Sequence, residues 1–141
     1  MNEHWTTPYL RIPYVEGGRV RDGGVDCWGL LRVVYEERYG IHLPEHPGIS
    51  ADSVQEKHKL IVDSMHGEWL ETEDPENGHA VAMSQSNAFH HVGLVAFLNH
   101  KLHILHAWNE PTGIIIENLR QIRQRGLVRL HYFVHKQWPT S

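Results

Sequence analysis

"HHVGLVAFLNHKLHILHAW", residues 90 to 108, decides how the second half of the chain folds. Two apolar runs, HVGLVAFL (91–98) and KLHILHAW (101–108), are separated by Asn99-His100. Runs of strand length on either side of a short polar break predict an antiparallel hairpin. If the turn is those two residues, Leu98 pairs with Lys101, His91 faces Trp108 and Gly93 faces His106. Strand alternation then sets His91 and His106 diagonally on one face, about 7–8 Å apart at the backbone and within side-chain reach. Gly93 leaves room between them. A three-residue turn would reverse the register and bring His103 round instead.

Working outward, TGIIIE (112–117) and LVRLHYFVH (127–135) read as two further strands, with the basic stretch ENLRQIRQRG (117–126) as a short helix between them. The first half has a different period. Residues 1 to 25 look irregular, broken by Pro8, Pro13 and the glycine pairs 17–18 and 23–24. A helix then starts, with Cys27, Leu30, Leu31 and Val34 at helical spacing and Gly40 as its stop. HLPEHPG (42–48) is a loop. SVQEKHKLIVDSMHG (53–67) reads as a second amphipathic helix, with Ser53 and Glu56 as a capping box and Gly67 at its end. ETEDPENG (71–78) is an acidic turn, and strands follow from about residue 79. Helices first and mostly antiparallel strands second predict an α+β fold, with residues 1–141 as one domain.

Composition bounds the function. The 141 residues are 40% hydrophobic and 21% charged, with a net charge of -4, which argues against a general nucleic-acid binder. No apolar run approaches the ~18 residues of a membrane span. The opening MNEHWTTPYL lacks the basic and apolar blocks of a signal peptide, so any export is expected to use another route. One cysteine excludes an internal disulfide framework. Protonating all 13 histidines would carry the charge from -4 to +9, so surface charge responds strongly to pH.

That single cysteine sits in GGVDCWGLL (23–31), where loop becomes helix. Unpaired N–H groups and the positive end of the helix dipole stabilise a thiolate there, and the same groups can receive the negative oxygen of a tetrahedral intermediate. Position 27 therefore suits a nucleophile, and an imidazole suits its proton acceptor. The competing reading is a small apolar residue packed beneath a helix. Asp26, just before it, is a natural N-cap. His90, His91, His103 and His106 are divided by alternation between two faces, which disfavours a zinc site; no metal or cofactor is expected.

PYVEGGRVRDGGVDCWGLL (13–31), HHVGLVAF (90–97) and HILHAW (103–108), in this order, resemble the NlpC-type cell-wall cysteine peptidases, a papain-like family. A CHAP-type amidase shares the chemistry but fits the motifs and strand order less well. The resemblance implies helices packed on a mostly antiparallel sheet, with Cys27 as nucleophile, His91 as base and His106 as the residue orienting that base. It also implies Tyr14 beside the oxyanion, Asp26 near the substrate's amino group, and peptidoglycan stem peptides as substrate. Trp28 after the cysteine, Glu16 in the Pro-Tyr motif and His79 where Gly-Asp usually opens the first strand depart from the wall-lytic pattern. A bulky residue after the cysteine, a bare domain and the expected lack of a signal peptide resemble the branch found in phage tail proteins. Trp28 is expected to narrow the cleft beside the nucleophile. The implied partners are other phage tail proteins, the implied route is from host cytoplasm into a virion acting at the bacterial wall, and the alternative is a structural tail-tip protein with a weak or inactive site. Trp5, Trp69, Trp108 and Trp138 are most simply core or partner-facing residues.

Overall fold

A computed structural model describes residues 3–45, 54–65, 67–85 and 89–139. After a 3-10 turn (Thr7–Tyr9), a small hairpin of β1 (Arg19–Val20) and β2 (Gly24–Val25) leads into α1 (Cys27–Val34). Helix α2 (Val54–Met65) precedes β3 (Trp69–Thr72), β4 (Ala80–Ser84), β5 (Phe89–Leu98), β6 (Lys101–Asn109) and β7 (Gly113–Asn118). Helix α3 (Leu119–Gln124) and β8 (Arg129–His135) complete the described elements. The six long strands form one sheet in the order β3-β8-β4-β5-β6-β7, and every neighbouring pair is antiparallel. The α+β expectation holds.

Alternation along β5 and β6 feeds two cores. Val92, Leu94, Leu105 and Ala107 pack with Trp28, Leu30, Leu31 and Val34 of α1. Val95 and Ile104, on the other face, pack with Ile122 of α3 and Leu127. Leu30, Leu31 and Val34 are fully buried. Burial of each such side chain contributes about 1.5–3 kcal/mol. That burial clamps α1 across the strands bearing the histidines, which fixes where its N-terminus lies.

The hairpin turn is the two-residue one. Asn99 and His100 have φ of 51° and 66°, the paired left-handed conformation that twists with its strands. Leu98 pairs with Lys101 and Leu94 with Leu105. Three local expectations need correction. The segment read as irregular contains β1 and β2, two-residue strands too short to show a period. A strand, β3, lies ahead of residue 79 and takes in Glu71 and Thr72 of the acidic stretch. The first helix leaves α-geometry after Val34 and finishes as a π-turn over Tyr35–Tyr39, closed by Gly40 at φ 66°. The Ser53–Glu56 capping box lies outside the described residues.

Candidate active site

Three glycines and one aspartate fix the start of α1. Asp26 caps the helix, its Oδ1 accepting from the Gly29 amide at 3.0 Å. The same oxygen accepts from Arg19 Nη1 at 2.6 Å, and Oδ2 accepts from the Gly17 amide at 3.1 Å. Asp26 is 3% exposed. A side chain at Gly29 would collide with the Gly18 carbonyl, and one at Gly18 with the Gly24 carbonyl. The loop and helix therefore approach closer than any other residue permits. Cys27, half-buried and in no disulfide, is the first residue of the helix so held.

The histidines form a linear chain of hydrogen bonds. His91 Nε2 lies 2.8 Å from His106 Nδ1, and His106 Nε2 lies 2.9 Å from Glu117 Oε1. Arg125 grips that carboxylate with Nε at 2.6 Å and Nη2 at 3.1 Å. Trp108 stands edge-on to His91, ring centroids 5.3 Å apart, and carries the Arg125 guanidinium over its own ring at 5.1 Å. His91 is 6% exposed and His106 fully buried. Burial pushes His106 below the ordinary imidazole pKa, outweighing the opposing pull of Glu117. For Glu117, burial works against ionisation, but the bonds from Arg125 and His106 outweigh it and hold the carboxyl below its ordinary value. Two imidazoles joined nitrogen to nitrogen can pass orientation from one ring to the other, and a base so oriented is what a thiol nucleophile requires. His103 bonds the Lys101 carbonyl and takes no part in the pair.

Tyr14 is half-buried, and its hydroxyl donates to Glu16 Oε2 at 2.6 Å. Burial first, then this bond, raise the phenol pKa far above its ordinary value, with the charges of Cys27 and Asp26 adding to the effect. Tyr14 thus lies within electrostatic reach of the thiol. Tyr14, Val15, Glu16, Asn109 and Glu110 line an open groove of ≈ 540 Å³. Trp28 requires correction. It is fully buried in the α1 core and donates from Nε1 to the Pro44 carbonyl at 2.8 Å, so its side chain does not narrow the cleft. Asp26 is committed to Arg19 and two backbone amides under the helix start, which is the capping role. Trp138 packs on Tyr39 with centroids 4.3 Å apart and belongs to the core margin.

From the sequence, Trp108 reads as a core or partner-facing residue and Glu117 and Arg125 fall in a strand end and a basic helix, so sequence alone places none of the three in the site. The available signal was Glu117 itself, a lone charge in the apolar run GIIIEN. Among the described residues, no group of three or more His, Cys, Asp or Glu is arranged to hold a metal ion. No helix among them is long and apolar enough to cross a membrane.

A family model described as NlpC/P60 family matches residues 11–129. A 36-residue segment is 44% identical to the gamma-DL-glutamyl hydrolase of Bacillus subtilis (strain 168), covering 26% of this chain and 9% of that protein's length. The fold is similar to the crystal structure of the NlpC/p60 domain of the peptidoglycan hydrolase SagA, with a TM-score of 0.57 at 16% identity, covering 90% of this chain and 91% of that one.

Proposed function

Because the chain belongs to the NlpC/P60 family, we propose that it is a cysteine peptidase hydrolysing amide bonds in peptidoglycan stem peptides, serving as a phage tail component that aids cell-wall penetration. The observation that carries the reading is the 2.8 Å bond between His91 and His106, borne by β5 and β6, the strands against whose other face the Cys27 helix packs. In the reaction, the Cys27 sulfur attacks the scissile carbonyl while His91 takes the thiol proton. First-turn amides of α1 and the Tyr14 hydroxyl receive the developing oxyanion. His91 returns the proton to the leaving amine, and the acyl group remains as a thioester. Water, deprotonated by His91, then attacks that thioester and releases the acid and the free thiol. His106 holds the His91 ring throughout, the part the third member plays in triads generally.

The phage-tail assignment rests on the bulky Trp28 that follows the nucleophile. One observation favours the alternative of a structural tail-tip protein with a weak site: the Tyr14 hydroxyl is already taken by Glu16. The test is digestion of purified peptidoglycan, read by mass spectrometry of released peptides, alongside infection by virions carrying Cys27→Ala. New free amino and carboxyl ends in stem peptides with wild type only, and normally assembled virions that infect less efficiently, are expected. Virions that need the protein for assembly yet infect fully with Cys27→Ala would replace the enzymatic reading with the structural one.

A further inference from the structure

The chain of contacts does not stop at His106, and its far end decides which nitrogen of His91 is basic. Arg125 holds Glu117 as a carboxylate, which can only accept, so the His106 nitrogen facing it must be Nε2–H. A neutral imidazole carries one proton, so His106 Nδ1 is then an acceptor. His91 Nε2 stands 2.8 Å from that acceptor and must be the donor. The lone pair of His91 is thereby left on Nδ1, the nitrogen turned away from His106.

We propose that Glu117 and Arg125 are positioning residues that fix the tautomers of both histidines and so decide that Nδ1 of His91 receives the Cys27 proton. The proposal rests on the reading of Cys27 and His91 as nucleophile and base. Glu117 supplies the acceptor that orders the two rings. Arg125 neutralises the carboxylate so that it orders His106 without charging it. Among the described residues, the titratable and charged groups facing His106 are His91 from β5, Glu117 from β7 and Arg125 following α3. Were His106 to become an imidazolium, both its nitrogens would donate. His91 Nε2 would then have to present its lone pair to His106, and its proton would sit on Nδ1, where the thiol proton has to go. The Arg125 charge opposes that protonation, and the Glu117 charge favours it. Trp108 carries the guanidinium over its ring face and meets His91 in a perpendicular contact, so the clamp reaches back to His91 through the same indole.

The test has two readouts on the intact protein. Nitrogen-15 NMR of the imidazoles, assigned with His91→Gln and His106→Gln, reads tautomers directly. Iodoacetamide labelling of Cys27 against pH reads the base. In wild type both rings should be Nε2–H. In Glu117→Leu the His106 signal should become a tautomer mixture, with Cys27 labelling at neutral pH reduced about tenfold, and Glu117→Gln should restore much of it. Arg125→Met should keep wild-type tautomers at high pH but move the acid limb of labelling upward by about one pH unit, the lower end of what an unmatched neighbouring charge produces. Its urea midpoint serves as the folding control if Glu117→Leu does not fold. Unchanged tautomers in Glu117→Leu, or an unmoved acid limb in folded Arg125→Met, overturn the proposal. Wild-type Cys27 that labels no faster than free cysteine would instead overturn the nucleophile reading, while the NMR signals still judge the clamp.

Discussion

Replacing Asp26 separates a supporting role from a substrate-binding one. The carboxylate accepts the Gly29 amide as an N-cap and pairs with Arg19, whose side chain is only 8% exposed. Removing a cap of this kind costs ~1 kcal/mol. Leaving a buried arginine without its carboxylate costs about 3–5 kcal/mol. Arg19 keeps bonds to the Glu45 and Gly18 carbonyls, which favours the low end of that range. Asp26→Ala should therefore lose ~4 kcal/mol in all, a large share of the 5–15 kcal/mol typical of a domain. With a urea slope of ~2 kcal/mol/M, the unfolding midpoint falls by about 2 M. Asp26→Asn retains a good cap and loses the charge, so it should fall about half as far. Equilibrium urea unfolding followed by tryptophan fluorescence measures both. An Asp26→Ala protein as stable as wild type but slower on peptide substrate would refute the reasoning and return Asp26 to the substrate's amino group.

Glu16→Ala should free the Tyr14 hydroxyl for the oxyanion. At ~1 kcal/mol for the bond released, peptide turnover rises about fivefold, and a fall in turnover would show that Glu16 assists rather than competes. Gly93→Ala sets a new methyl 2.8 Å from Ile104 Cγ2 and 2.9 Å from the Leu105 carbonyl, beside His106. Overpacking of this kind costs about 1–3 kcal/mol, so the melting temperature should drop and Cys27 labelling slow together; an unaffected melting temperature would contradict the packing. Burial lowers the pKa of His79, His106 and His135 below the ordinary value of 6.5. The unfolded chain then binds more protons as pH falls from about 6.5 toward the folded-state values, so this stability is complete above that range and lost within it. Urea midpoints should decline from pH 7 to about pH 5, and a flat or rising profile would contradict the assignment.

How much of this was legible in the sequence varied with range. The β5–β6 register followed from alternation and a two-residue turn, because each step is local and period two leaves only two outcomes. The β1–β2 hairpin was hidden because strands of two residues have no period. Trp28 was misplaced because adjacency to the thiol in sequence says nothing about facing. On a helix, the next side chain points about 100° round, here into the core. Glu117 was out of reach for a different reason. Its meeting with His106 depends on the β6–β7 connection, where the register shifts between Ala107 and Asn109, and on Arg125 returning after α3. Neither a bulge nor a helix-borne return is written in a local pattern.

The most direct test of the central claim is the rate at which iodoacetamide alkylates Cys27 near pH 6, in wild type and in His91→Ala. If His91 serves as the base for a thiol at this helix start, Cys27 should react at least about tenfold faster than free cysteine there, and the advantage should largely vanish without His91. A wild-type rate equal to that of free cysteine, unchanged by the substitution, would mean that Cys27 and His91 do not form a catalytic pair.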